Sequence, residues 1–145
     1  MSQLKELTFN LADIDQALWE KRTLEEATLI FNKPSTRKDR TWEKVYETCK
    51  VGQAAEVWLM SNGYLNDSRN YHDVLRPDGT PIEVKVTSWE SRYILDRYAE
   101  KLKSGWGDWP KTVYVFYNSV NSLIYTFHGI FQWDGEKFLG YRPQL

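Results

Sequence analysis

Hydrophobic spacing along this chain changes period several times, and each change marks an element. Residues 12 to 32 suit one or two helices, with Leu18, Trp19, Leu24, Ala27, Ile30 and Phe31 as apolar candidates. The polar run from Asn32 to Arg40, which contains Pro34 and Ser35, reads as a connection. From Trp42 to Tyr64 a helix is expected, and Gly63 can end it. Two short strands follow, Tyr71 to Leu75 and Thr80 to Thr87, joined by a turn. A helix from about Ser88 to Ser104 comes next; Thr87 and Glu90 have capping-box spacing, and Gly105 suits the exit. Thr112 to Asn118, rich in Val, Tyr and Phe, reads as a buried strand. Ser122 to Trp133 and Lys137 to Tyr141 read as further strands, with Asp134-Gly135 as the hairpin signal between them. This order predicts one mixed α/β domain over residues 1–145 with a largely central sheet.

Chemistry concentrates in the predicted hairpin. Strand alternation sends Ile82, Val84 and Val86 to one face and Glu83, Lys85 and Thr87 to the other. Pro77 presets φ for a type I turn, and Gly79 can take the left-handed conformation, which suits a three-residue loop with a bulge. Such a loop pairs Arg76 with Thr80 and, counting back, places Asp73 opposite Glu83, with Cβ atoms about 5 Å apart. A two-residue Asp-Gly turn would instead pair Asp73 with Val84 and separate the carboxylates.

Two carboxylates that close repel unless a proton or cation lies between them. With oxygen ligands and no His or Cys cluster nearby, the natural cation is Mg²⁺ or Mn²⁺. Lys85 would then face the attacking water and a scissile phosphate. Glu56 adds an independent signal. On a helix it falls within the stripe of Val45, Cys49, Gly52, Leu59 and Met60, where a charge needs a partner: an arginine of the N-terminal helices or a metal.

Gly52-Gln53-Ala54-Ala55-Glu56, Asp73 and Ile82-Glu83-Val84-Lys85 together resemble the PD-(D/E)xK nuclease superfamily over residues 45 to 118. His72 stands where that superfamily commonly has Pro. The resemblance implies a restriction-endonuclease-like fold and Mg²⁺-dependent phosphodiester hydrolysis. It implies Asp73 and Glu83 as metal ligands, the Val84 carbonyl completing the site, Lys85 activating water, and Glu56 as an auxiliary ligand or a group behind the ligands.

Charge and composition adjust this picture. A net charge of −1 argues against a protein that coats nucleic acid through a global basic field, so local patches matter. Lys33, Arg37, Lys38, Arg40 and Lys44 form one such patch before the Glu56 helix and are the favoured phosphate contacts. Arg92, Arg97, Lys101, Lys103 and Lys111 form a second, diluted by Glu90, Asp96 and Glu100. His72 and His128 read as structural, and Cys49 as a small core residue. The 15% aromatic content suits a core rich in large side chains or a stacking surface. A lone cysteine, no signal-peptide pattern and no membrane-length apolar run lead to the expectation of a soluble, intracellular chain. The functional expectation is a DNA endonuclease with no organic cofactor, acting as a homo-oligomer, most simply a dimer, if it cuts both strands. An RNA nuclease, or a non-catalytic nucleic-acid- or protein-binding module on the same fold, is the alternative.

Overall fold

The computed structural model describes residues 8–33, 40–66, 74–88, 91–104, 109–120 and 122–141. A short strand, β1 (Thr8–Asn10), leads through a 3-10 turn at Leu11–Asp13 into α1 (Gln16–Phe31). Asp15 caps α1 by accepting from Leu18 N at 3.0 Å. The second helix, α2 (Trp42–Ser61), starts at Thr41, whose hydroxyl accepts from Lys44 N. It ends where Gly63 takes φ +95° and its N–H returns to Met60 O, the exit expected from the sequence.

Strands β2 (Leu65–Asn66), β3 (Val74–Leu75) and β4 (Pro81–Thr87) follow, then α3 (Ser91–Lys103), β5 (Thr112–Tyr117), β6 (Ile124–Trp133) and β7 (Phe138–Tyr141). They form one seven-stranded mixed sheet in the order β1-β6-β5-β4-β3-β2, with β7 also on β6. Only β4 and β5 run parallel, and α3 is the crossover between them. The Asp134-Gly135 hairpin forms as expected: Gly135 has φ +106°, and the Asp134 carboxylate accepts from Glu136 N and Lys137 N.

The two faces of β5 organise the core. Tyr114 and Phe116 pack with Ala54, Ala55, Val57, Trp58 and Leu59 of α2. Val113 and Val115 pack with Leu95, Tyr98 and Leu102 of α3. The sheet is thus covered on both faces, which explains why β5 is apolar at consecutive positions instead of alternating. Among the described residues no helix is long and apolar enough to cross a membrane.

Two sequence expectations change. Leu24 and Phe31 are 50% and 42% exposed, because α1 turns Arg22, Thr23 and Ala27 inward instead. Thr87 belongs to β4, its carbonyl accepting from Asn118 N at 3.0 Å, and α3 is described from Ser91; Glu90, the other half of the expected capping box, lies outside the described residues. Strands β1 and β2 were not anticipated, being too short to carry a periodic signal. Residues 71–73 of the expected first hairpin strand lie outside the described residues.

Candidate functional site

The hairpin between β3 and β4 closes as its turn residues dictate. Arg76 N donates to Thr80 O at 2.8 Å, and Gly79 N donates to Arg76 O at 2.8 Å. Gly79 has φ +91°, and Thr80 N donates to the Asp78 carboxylate at 2.9 Å, which holds that carboxyl below its usual pKa. The register is Val74 with Ile82 and Leu75 with Pro81. Asp73, one residue beyond, lies outside the described residues.

From Glu83 to Thr87, β4 pairs with β5 on one side. On the other side no strand faces this stretch among the described residues. Successive residues of a strand turn their backbone groups to opposite sides. Thr80 O is used toward β3 and Thr87 O toward β5, so Val84 and Val86 present N–H and C=O at this edge. A cavity of about 510 Å³ runs along it, with Glu83, Val84 and Lys85 on one wall and Glu26, Cys49 and Glu56 on the other. It shares Thr48, Val51, Asn118 and Val120 with a second hollow of about 730 Å³ beside Trp19 and Lys50.

Glu56 has a definite partner. One carboxylate oxygen lies 2.7 Å from an Arg22 nitrogen, and both side chains are nearly buried. Arg22 also donates from Nε to Gln53 Oε1 at 2.8 Å and from its third nitrogen to Asn66 Oδ1. Gln53 Nε2 returns to Glu56 Oε2 at 3.4 Å and to Glu26 Oε1 at 3.3 Å. Every guanidinium nitrogen is used, which is how a buried charge is tolerated. Burial pushes the Glu56 pKa well above the usual carboxylate range; Arg22 opposes that shift, while Glu26 and Glu83 add to it.

Glu83 and Lys85 are less enclosed. Lys85 Nζ lies 3.0 Å from Glu83 Oε2, with the side chains 24% and 15% exposed respectively. The same ammonium sits 5.3 Å from the ring centroid of Tyr98 on α3. Lys101 lies close by; partial burial and then the Lys85 charge lower its pKa. Cys49, against Glu26, has its thiol pushed up to about 12, first by burial and then by that carboxylate. It is a core thiol and no nucleophile. His128 stacks on Tyr117 at 5.4 Å in a sheet position, as its structural reading expects.

Of the expected site residues, Glu56, Glu83, Val84 and Lys85 therefore share one cavity. Among the described residues, no three His, Cys, Asp or Glu side chains gather as a metal site. Of the expected phosphate contacts, Lys33 and Lys44 are exposed and Arg40 is half-buried, near enough that its charge acts on Cys49. Arg37 and Lys38 lie outside the described residues. Arg22, the one arginine of residues 12 to 32, is the partner that the sequence allowed for Glu56; Gln53 and Glu26 were not anticipated around it. Arg22 and Glu26 stand four apart beside Thr23 and Ala27, so a polar stripe on α1 was the signal available. No family model, curated protein or solved structure matches the chain.

Proposed function

We propose that the chain is a divalent-metal-dependent nuclease of the PD-(D/E)xK type, acting on DNA. The observation that carries this reading is the cavity along β4 that Glu83, Val84 and Lys85 line together with Glu56 of α2. The hairpin register supports it: Val74 pairs with Ile82 and Leu75 with Pro81, the pairing that the three-residue loop expected from the sequence requires. The element order supports the restriction-endonuclease-like fold: helix with Glu, hairpin, crossover helix, then a strand parallel to the Glu-x-Lys strand.

The donors at the edge are a carboxylate and a backbone carbonyl, hard oxygens that suit Mg²⁺ or Mn²⁺. Asp73, Glu83 and the Val84 carbonyl would hold the ion. When bound, it would polarise a phosphodiester and lower the pKa of water. Lys85, 3.0 Å from Glu83, would offer its charge to the phosphate. Glu56, occupied by Arg22 on one oxygen, shapes the field behind the ligands. Arg40, Lys33 and Lys44 supply positive charge near the helix wall for the backbone of the substrate. Cutting both strands of a duplex would take two copies of the chain.

Cleavage of supercoiled plasmid and of a branched DNA, with Mg²⁺, with Mn²⁺ and with EDTA, tests the reading. Metal-dependent cutting is expected, with Asp73→Ala and Lys85→Ala, both folded, reduced at least about 100-fold. Cutting that survives both substitutions, or no metal binding at all, removes the catalytic reading and leaves a binding module.

A further inference from the structure

We infer that Tyr98 is a positioning residue for the reaction, holding the Lys85 ammonium at the β4 edge through its ring face; this rests on the nuclease reading above. Lysine ends a flexible four-carbon stem, and only outside contacts fix where its charge lies. Glu83 supplies one contact, at 3.0 Å. The same carboxylate is needed as a ligand, and one oxygen cannot serve fully in both roles. A neutral aromatic face attracts the ammonium without neutralising it and without competing for a cation. Tyr98 offers that face 5.3 Å from Nζ.

The ring is itself immobilised. Tyr98 is 1% exposed, and its hydroxyl donates to Pro110 O at 2.8 Å. Phe138 stacks on it at 6.1 Å, and Trp109 lies against it at 5.9 Å. Trp109 in turn carries Lys101 at 5.6 Å, so two ammonium groups rest on two adjoining rings. Lys101 repels Lys85. Without the Tyr98 face, Lys85 would be left with Glu83 on one side and a like charge on the other. The crossover helix thereby sets the place of a charge borne by the strand before it.

Two measurements test this. In the wild-type NMR spectrum, the Lys85 ε-methylene protons should lie upfield of those of the exposed Lys103, shifted by the ring current of Tyr98. Tyr98→Phe keeps the ring and should hold kcat within about twofold, while Tyr98→Met, checked for folding, should lower kcat about tenfold or more at little-changed KM. Phe and Met variants impaired alike, a change confined to KM, or an unshifted Lys85 resonance would overturn the proposal. If wild type cuts no nucleic acid, the nuclease reading fails on its own. The Lys85 resonance, read without any substrate, still decides whether Tyr98 holds the lysine.

Discussion

Two charged pairs flank the same cavity, and they are built differently. Arg22 and Glu56, between α1 and α2, are nearly sealed from solvent, and Gln53 and Asn66 complete the guanidinium's partners. Glu83 and Lys85, on β4, remain partly exposed, and Lys85 leans on one ring. A sealed and saturated pair has little left to offer a ligand, and breaking it is expensive. An open pair can exchange its partners, which is what binding and catalysis require. The contrast suits the first pair to architecture and field, and, on the proposed reading, the second to chemistry.

The largest effect expected is on the sealed pair. Arg22→Met strands Glu56 beside Glu26 and should cost about 3–5 kcal/mol in urea denaturation at pH 8. Adding Glu56→Leu should recover much of that loss, because no buried charge remains. A single-variant cost below about 1 kcal/mol would break the comparison, making the sealed pair no more important than a surface one.

Next in size is a pH effect on the same group. The folded Glu56 carboxyl has its pKa raised above 4.5, so between that value and the folded one the native state holds more proton than the unfolded chain. Its contribution to stability is full below pH 4.5 and is lost as pH rises through the folded pKa. Glu56→Gln should flatten this part of the stability–pH curve. An unchanged slope in that variant would move the titration to another group.

A smaller effect sharpens the open side. Gly79→Ala meets open space but must keep φ +91°, at a cost of about 1–2 kcal/mol in thermal or urea unfolding. If the register of this hairpin aligns the site, cleavage should fall by more than the stability loss explains. Smaller still, Cys49 should resist a thiol reagent at pH 8 in the folded chain and react once it is unfolded, as its pKa of about 12 requires.

The open pair was the more legible in the sequence. Glu83 and Lys85 lie two apart on a strand, and Pro77-Asp78-Gly79 fixes the register, so local rules reach most of the way. The helix start at Trp42 and its exit at Gly63 were legible for the same reason. The sealed pair was only half visible. Glu56 stood out as a charge in an apolar stripe, and an arginine of the N-terminal helices was one of the partners it allowed. Arg22 is the only arginine in residues 12 to 32; that it reaches Glu56 follows from how α1 packs on α2, a tertiary fact. The same packing left Leu24 and Phe31 outside against their apolar character. Nothing in the sequence singled out Tyr98, and the β4–α3–β5 crossover is what brings it to Lys85. Strands β1 and β2 form because neighbours accept them, with no pattern of their own.

The most direct test of the open edge as the metal site is titration of the ¹⁵N-labelled chain with Mn²⁺, read as paramagnetic broadening of amide signals. Signals of Glu83, Val84 and Lys85 should broaden first and Glu56 with them, while Gly135 at the far hairpin stays sharp. Asp73→Ala should remove the effect at low Mn²⁺. Broadening centred elsewhere, or none at millimolar Mn²⁺, would contradict the assignment of this edge to metal-dependent chemistry.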